Sequence, residues 1–572
     1  MLRFLKKFKK ECVLAPLFKM LEASFELFVP LVVAAIIDKG IGGSDAGYIW
    51  KMSGVLIALG LIGLACSITA QYFAAKAAVG FAADVRHKLF ERLTTLSFSD
   101  MDQLGTSAMI TRMTSDVNQT QTGVNMTLRL FLRSPFVVLG AMVMAFTIDV
   151  RCALIFLAAI VLLSLVVFGI MAMNIPMMRN VQRQLETVLG ATRENLSGAR
   201  VIRAFCREDD EYQAFVAKNR QLTSLQKRAG RISALLNPVT YVIINLAIIA
   251  LIRKGAMQVD MGILTQGQVV ALYNYMSQIL VELIKLANLI ITMNKAAASW
   301  RRIADVLALE ASMTGAGRMP ETSASAPAVS FQQVYLTYDG AGSASLENIN
   351  LTAMPGQTIG IIGGTGSGKS SVAQLIPRFY DVSGGAVLVD GVNVKDYPLE
   401  ALRRKIGFVM QKAVLFKGTI RDNLRWGKPG ATDAEIEEAV RIAQAEDVIQ
   451  AKGGLDAEIE QEGRNLSGGQ RQRLTIARAL VRRPEILILD DSASALDLAT
   501  DARLRRAIAE LDYHPTVFII SQRTASIMNA DEILVLDDGK VVGQGKHEQL
   551  LEHCDVYREI YESQFRKEEG TR

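Results

Sequence analysis

The sequence predicts two unlike parts: an all-α six-helix transmembrane domain over residues 1–309 and an α/β domain over residues 329–572. Hydropathy predicts the first part, because half of the 572 residues are hydrophobic and the charge-free stretches concentrate before about residue 300. Short β-rich runs that alternate with helical runs after a polar, Gly- and Pro-bearing linker at residues 310–328 predict the second part. An intrinsically disordered chain is excluded, since so much apolar surface is available for burial.

The charge and cysteine content excludes two further classes of protein. The 63 Lys and Arg residues stand against 57 Asp and Glu residues, and the formal net charge of +6 is too small to indicate a nucleic-acid-binding protein. Five cysteines are scattered without a CxxC pair, and the four histidines are scattered too. Neither a disulfide framework nor a zinc site is therefore predicted.

Six stretches are long enough to cross a hydrocarbon core, which takes about 20 residues of helix. The predicted spans are residues 13–37, 52–75, 128–148, 152–178, 232–252 and 261–290. An even number of spans puts both ends of this region on one side of the membrane. Basic residues crowd the N-terminus at Arg3, Lys6, Lys7, Lys9 and Lys10, so that side is predicted to be cytoplasmic.

The links between spans agree with this orientation. Links after the first, third and fifth spans are short, whereas residues 76–126 and 179–231 form long, charged links with helical periodicity. Two long helical hairpins are therefore expected to project into the cytoplasm.

Charged residues inside membrane spans are costly and indicate function by default. Lys19, Glu22 and Glu26 share one face of the first span, and Glu282 and Lys285 lie one turn apart in the sixth. They are interpreted either as the lining of a cavity for a polar or cationic amphiphile, or as internal Glu–Lys pairs that stabilise the bundle.

Two arginines precede the third span. Arg129 and Arg133 are assigned to its cytoplasmic end.

The α/β domain contains a phosphate-binding motif. Residues 363–370 fit G-x-x-x-x-G-K-[ST], between an apolar strand at 358–362 and a helical run. Glycines let backbone N–H groups converge on phosphate oxygens, the lysine reaches the β- and γ-phosphates, and the serine binds Mg²⁺. The predicted nucleotide-binding residues of this loop are Gly363, Gly364, Thr365, Gly366, Ser367, Gly368, Lys369, Ser370 and Ser371.

Two more segments narrow the class of P-loop protein. Residues 486–490 (ILILD) read as a buried strand ending in Asp490, which suits the second Mg²⁺-coordinating position. Residues 466–470 (LSGGQ) resemble the signature of ABC proteins. With these motifs, essentially the whole chain resembles an ABC exporter half-transporter, six membrane helices fused to one P-loop ABC ATPase domain. The resemblance implies ATP and Mg²⁺ as cofactors and a multi-pass protein of the bacterial plasma membrane with its nucleotide-binding domain in the cytoplasm.

The resemblance assigns roles to further residues. Tyr338 matches the aromatic residue that stacks on adenine, and Gln411 the glutamine that senses Mg²⁺ and the γ-phosphate. In this family two domains sandwich two ATP molecules, so each site borrows the signature of the other chain. The residues that this chain would lend to a partner are Ser467, Gly468, Gly469, Gln470 and Asp497.

At two positions the sequence departs from the family pattern. Asp491 stands where the family usually has a glutamate that orients the attacking water, and Gln522 stands where it usually has a histidine that contacts the γ-phosphate. Asp is one methylene shorter, and glutamine cannot become cationic. The chain therefore resembles the degenerate-site subunit of heterodimeric multidrug-type exporters. The alternative is neutral drift, with an Asp-based site that still turns over.

The hairpin tips resemble the family's coupling segments. The predicted coupling residues are Ser97, Phe98 and Asp100 in the first tip, and Phe205, Arg207, Glu208 and Asp209 in the second. In the family the second tip reaches the partner's nucleotide-binding domain. The alternative is that these residues form a solvated hairpin surface.

The resulting prediction is an ATP-driven exporter subunit for drugs, lipids or small peptides. Its partners would be a non-identical half-transporter with Glu and His at the two catalytic positions, the lipid bilayer and the substrate, with no nucleic acid. A homodimeric lipid flippase, an ATP-gated conduction pathway and a siderophore importer remain as alternatives.

Overall fold

The computed structural model describes residues 1–310, 312–313, 315 and 325–565. These residues form two compact units, one of residues 1–94 and 107–309, and one of residues 95–106 with the described residues from 310 onward. The predicted linker at 310–328 and the end of the predicted second domain lie largely outside the described residues.

The first unit is all-α, and six helical segments are long and apolar enough to cross a membrane, as predicted. Three of them contain prolines in the helix interior and continue past them. Short π-helical turns occur at Ile36–Ile41 and Arg112–Asp116. Its helices are α1 (Leu2–Leu5), α2 (Lys9–Ala35), α3 (Ala46–Thr95), α4 (Phe98–Leu104, which belongs to the second unit), α5 (Thr106–Thr111), α6 (Val117–Leu130), α7 (Arg133–Ile148), α8 (Val150–Ser197), α9 (Ala199–Ala204), α10 (Glu208–Asp260) and α11 (Gln266–Ala308).

The helices are longer than the predicted spans because the long links between the spans are themselves helical. α3, α8 and α10 contain 50, 48 and 53 residues, so each is about 70–80 Å long at 1.5 Å per residue. The two predicted hairpins are thus extensions of membrane helices.

The start of the sixth span differs from the prediction. Residues 261–265 form a turn, and α11 begins at Gln266, because Thr265 and Gln268 build a reciprocal capping box at its N-terminus. Apolar composition alone had included this turn in the span.

The core of the first unit lies between α2, α7, α8, α10 and α11. Small residues allow close approach, and the large side chains Phe156, Leu163, Tyr275 and Met276 fill the space. The hydroxyl of Tyr275 donates to the backbone oxygen of Leu27 at 2.6 Å, so even this buried polar atom is satisfied.

The second unit is α/β. Its strands are β1 (Val329–Leu336), β2 (Leu346–Ala353), β3 (Thr358–Gly363), β4 (Gly384–Val389), β5 (Val392–Asn393), β6 (Ile406–Val409), β7 (Gly418–Thr419), β8 (Glu458–Ile459), β9 (Ile486–Asp490), β10 (Thr516–Ile520), β11 (Glu532–Asp537) and β12 (Lys540–Gly545). Its other helices are α12 (Lys369–Leu375), α13 (Leu399–Lys405), α14 (Ile420–Arg425), α15 (Asp433–Ile442), α16 (Glu446–Lys452), α17 (Gly468–Leu480), α18 (Leu498–Ala509), α19 (Thr524–Ile527), α20 (His547–His553) and α21 (Asp555–Phe565).

The six-stranded sheet positions the site. Its order is β12-β11-β3-β10-β9-β6, and every pairing except that of β11 with β12 is parallel. β10 lies between β3 and β9, with Ile520 opposite both Ile361 and Asp490. The carboxyl ends of three neighbouring strands therefore meet at one edge, where ligands bind in open α/β sheets.

Candidate nucleotide site

The loop between β3 and α12 requires glycine for close packing. A Cβ on Gly363 would lie 2.0 Å from the backbone oxygen of Leu536, and one on Gly368 would lie 2.6 Å from Cδ2 of Leu346. Gly368 also has a φ of +92°, in the left-handed region. The backbone thus adopts the compact loop that the motif predicts.

Lys369 is buried at the start of α12. Its Nζ donates to the backbone oxygen of Gly363 at 2.9 Å and also to that of Gly364. Burial lowers the pKa of this ammonium group. A desolvated cation whose hydrogen-bond acceptors are neutral carbonyl and hydroxyl oxygens is well suited to exchange them for phosphate oxygens.

Asp490 and Ser370 meet at the end of β9. The Ser370 hydroxyl donates to Oδ1 of Asp490 at 2.9 Å, and burial raises the pKa of the aspartate. Among the described residues no group of three or more His, Cys, Asp or Glu side chains could hold a metal by itself. A hydroxyl and one carboxylate fit Mg²⁺, which usually completes its shell with phosphate oxygens and water. Bound there, Mg²⁺ would neutralise charge on the β- and γ-phosphates.

Asp491 directly follows this strand with a φ of +44°, a conformation that Asp tolerates better than most residues. Its N–H donates to the backbone oxygen of Ile520 at 2.9 Å, and Nε2 of Gln411 approaches Oδ2 at 3.4 Å. Burial raises the pKa of this carboxyl group as well.

One cavity of about 410 Å³ gathers most of these groups. Of the predicted residues it is lined by Thr365, Gly366, Gly368, Lys369, Ser370, Ser371, Gln411, Asp490, Asp491 and Gln522. The sequence interpretation missed the rest of the wall, which comprises Ser343, Ala344, Ser345, Ile520, Asp538 and Gly539. No motif marks these residues, because they reach the cavity only through the packing of β2, β10 and β12.

Tyr338 adjoins the cavity through a residue of its wall. Its hydroxyl donates to the Ser371 hydroxyl at 3.0 Å, and its ring lies edge-to-face on Tyr380 with centroids 4.9 Å apart. A rigid, half-buried aromatic ring beside the phosphate loop is compatible with the predicted adenine contact.

The signature residues lie elsewhere. Ser467 is exposed and caps α17 in a reciprocal capping box with Gln470, while the exposed Asp497 caps α18 by accepting from the N–H of Thr500 at 2.9 Å. A Cβ on Gly469 would lie 2.9 Å from the backbone oxygen of Ala495, so the two loops are neighbours. Neither loop lines the cavity of this chain's own phosphate site.

The first predicted tip packs inside the second unit as α4. Phe98 stacks on Phe379 with ring centroids 4.6 Å apart, and Ser97 forms a capping box with Asp100. The carboxylate of Asp102, which lies in this tip but is not among the predicted coupling residues, accepts from the Tyr380 hydroxyl at 2.7 Å. Ser99 donates to Asp339 at 2.6 Å.

The second predicted tip belongs to the first unit. Phe205 is 74% exposed, and Nε of Arg207 pairs with Asp210 at 2.9 Å. Glu208 and Asp209 open α10, where acidic residues favour the helix N-terminus.

The five charged residues predicted inside the first and sixth spans all form ion pairs. Lys19 donates to Glu22 at 2.5 Å and to Ser67 at 3.1 Å. Arg133 donates to Glu282 at 2.5 Å and to Glu26 at 2.6 Å, and Lys285 also donates to Glu282, at 2.8 Å. These contacts favour internal pairing for Glu282, whereas Glu26 and Lys285 remain partly exposed.

The assignment of Arg133 to the cytoplasmic end of the third span stays a prediction, whereas the burial of its side chain was not foreseen. The side chain is only 7% exposed and lies within the bundle, where Ser134 also donates to Glu282 at 2.8 Å. Its carboxylate partners lie on helices far apart in the sequence, so the sequence pattern alone could not predict that they contact Arg133.

Comparison with known proteins gives a consistent result. Residues 12–283 match the family model described as the ABC transporter transmembrane region, and residues 346–494 match that described as ABC transporter. An uncharacterized ABC transporter ATP-binding protein of Bacillus subtilis, YfiB, is 37% identical over 99% of this chain and 98% of its own length. A protein of Syntrophus aciditrophicus named ATP-dependent lipid A-core flippase is 32% identical over 85% of this chain and 81% of its own length. The fold is similar to that of a bacterial Atm1-family ABC exporter with ATP bound. The TM-score is 0.81 and the identity 24%, and the match covers 97% of this chain and 98% of the exporter chain.

Proposed function

Because this chain belongs to the ABC transporter family, whose ATPase domains couple hydrolysis to transport, we propose that it is one subunit of an asymmetric exporter. Its own phosphate site binds MgATP but hydrolyses it slowly, and its signature completes the faster site of a non-identical partner. The observation that carries this proposal is that Asp491 and Gln522 line the same cavity, which otherwise has its phosphate- and metal-binding groups.

The geometry around Asp491 supports slow hydrolysis. The carboxylate rises from a fixed backbone, since its N–H is bonded to Ile520, and it is one methylene shorter than glutamate. A retreat of about 1.5 Å leaves a water poorly oriented, and a misplacement near 1 Å can cost about 10²-fold in rate. Gln522 can donate a hydrogen bond to a γ-phosphate but supplies no positive charge.

The exposed signature supports a lending role. Ser467 and Asp497 are exposed helix caps, and Gly469 adjoins the loop that leads to Asp497, although none of the three lines this chain's own cavity. An intact signature beside an altered base position is expected of a chain whose signature serves the partner's site rather than its own.

An apolar groove in the second unit supports a partner contact. The groove has a volume of about 460 Å³ and is lined by Phe379, Phe408, Met410, Phe416 and Trp426, with Arg403, Arg478 and Arg482 at its margin. Trp426 stacks on Phe416 and is still 61% exposed. A second tip, with its aromatic Phe205 and the acidic run 208–211, matches the aromatic lining and the arginines of this groove in hydrophobicity and charge. We propose that the partner's second tip docks here.

The substrate class is proposed more broadly, as drugs, lipids or small peptides that leave the cytoplasmic side of the bacterial plasma membrane. The flippase relative favours amphiphilic lipids as a second candidate, handled by a homodimer. That alternative requires two equal Asp491 sites to sustain transport.

The central test compares the two sites in the complex with the partner. Ser467→Asp keeps a good helix cap but places a negative charge where the partner's γ-phosphate would bind, so hydrolysis by the complex should fall at least about 10²-fold. Asp491→Asn should leave it within about twofold. ATPase assays in proteoliposomes measure both, and Lys369→Ala in this chain checks nucleotide binding to its own site.

Opposite results would contradict asymmetry. If Asp491→Asn abolishes hydrolysis by the complex, or if the purified chain alone turns over ATP as fast as the complex, the slow-site proposal is wrong.

A second prediction concerns α4. Tyr380→Phe removes the hydrogen bond to Asp102 and leaves the ring packing intact, so transport per ATP hydrolysed should fall about threefold, while ATP affinity stays unchanged. Substrate flux and phosphate release from the same proteoliposomes give this ratio. Tyr335→Phe is the matched control, because its hydroxyl has no hydrogen-bond partner among the described residues. An unchanged ratio in Tyr380→Phe would show that this contact does not couple the two processes.

A further inference from the structure

The C-terminal helix α21 reaches the loop that follows β10. Near its end, Oε1 of Gln564 accepts hydrogen bonds from the N–H of Thr524 at 2.9 Å and from the Thr524 hydroxyl at 3.0 Å. Nε2 of the same side chain donates to the backbone oxygen of Gln522 at 2.7 Å. One carboxamide therefore binds both ends of a three-residue segment.

These hydrogen bonds replace a missing helix cap. Thr524 is fully buried and is the first residue of α19, whose N-cap residue Arg523 accepts no capping hydrogen bond with its side chain. An orphan N–H group at a buried helix start needs an acceptor. Gln564 supplies it from 40 positions away in the sequence.

The same segment is held on its other side. The guanidinium group of Arg523 donates to the backbone oxygens of Ala493, Ser494 and Leu496 at 3.1–3.3 Å. Those residues follow Asp491 and lead to Asp497. Gln522 thus sits between two attachments, one to the loop after β9 and one to α21, while it lines the nucleotide cavity.

We infer that Gln564 is a positioning residue for the γ-phosphate contact: it fixes the backbone of Gln522 so that this side chain faces the terminal phosphate of bound ATP. The inference rests on the proposed role of Gln522 in the nucleotide site. It assigns α21 a part in distinguishing ATP from ADP, since only ATP carries the phosphate that Gln522 would touch.

The preference for ATP over ADP is the readout that a merely structural role would not move. This preference is the dissociation constant of MgADP divided by that of MgATP, measured with the full chain in lipid nanodiscs. Gln522→Ala should lower this ratio about 10-fold, the size expected when a hydrogen bond to a charged group is lost. Gln564→Ala should lower it about 3- to 5-fold, with the ADP dissociation constant unchanged within twofold.

Two variants separate positioning from stability. Gln564→Glu still accepts from Thr524 but turns an acceptor oxygen toward the Gln522 backbone oxygen, so it should keep the thermal midpoint and still lose nucleotide preference. Gln564→Ala combined with Gln522→Ala should be no worse than Gln522→Ala alone, because one residue acts through the other. Ser563→Ala is the matched control on the same helix, since its hydroxyl bonds only within that helix, to Ile560.

The outcomes distinguish the two levels of inference. If Gln522→Ala lowers the ratio but neither Gln564 variant does, or if the double variant is additive, the positioning role is overturned and the nucleotide site stands. If Gln522→Ala leaves the ratio unchanged, the proposed γ-phosphate contact fails, and the positioning role fails with it.

Discussion

Asp491→Glu is expected to raise the rate of ATP hydrolysis by the purified chain by up to about 10²-fold. The added methylene carries the carboxylate forward from a backbone that is pinned to Ile520 and is therefore unable to move toward the nucleotide itself. Phosphate release under saturating MgATP, from the full chain reconstituted alone in proteoliposomes, measures the effect. Two copies would each present an intact Ser467 to the other.

The gain has a physical limit in the local backbone. Asp491 has a φ of +44°, and a longer side chain adopts this conformation less readily than Asp does. Glutamate must also displace or share the hydrogen bond that Gln411 makes at 3.4 Å. The thermal midpoint should therefore fall slightly even as turnover rises.

Asp491→Asn is the matched control, because asparagine has the same length and also tolerates positive φ. It removes the charge that orients water, so the residual rate of the isolated chain should drop further. Adding Gln522→His to Asp491→Glu should raise turnover beyond the single variant. A rate that stays the same in Asp491→Glu and in the double variant would mean that another step limits hydrolysis, and the degenerate-site proposal would fall.

Local and distant features of this chain differ in how far the sequence predicts them. The phosphate loop is contiguous, and glycines at 363 and 368 are required by local close approach, so its motif predicts its structure directly. Six apolar helices were likewise predictable, because the need to satisfy backbone groups in hydrocarbon acts on each segment separately. The start of α11 was not, since a capping box at Thr265 outweighs apolar composition.

Contacts between distant segments were missed for a common reason. Tyr380 and Asp102 are 278 positions apart, and Arg133 is 149 positions from Glu282. Periodicity shows which residues share a helix face, but it gives no information on which face meets which. The charged residues of the first and sixth spans were therefore predicted to matter, but the arginine that joins Glu26 to Glu282 was not predicted to be their partner.

Arg133 supports the second large prediction, which concerns stability. Glu26, Arg133 and Glu282 lie 15 or 16 residues from the helix ends on the predicted outer side, about 22–24 Å along each helix at 1.5 Å per residue. One guanidinium group thus joins α2, α7 and α11 at a single level. Arg133→Met should destabilise the protein by about 3 kcal/mol, the lower end of the range for breaking a buried ion pair, because Lys285 still partners Glu282.

The thermal midpoint of the detergent-solubilised full chain measures this loss, and Arg129→Met is the matched control, since Arg129 forms no ion pair among the described residues. Arg133→Lys should be intermediate, because an ammonium group cannot reach both carboxylates as the planar guanidinium does. Adding Glu282→Gln to Arg133→Met should recover much of the loss, as the buried charge disappears with its partner. If instead Arg133→Met leaves the midpoint unchanged while it alters substrate-stimulated hydrolysis, the cluster is a substrate-facing site and not a structural clamp.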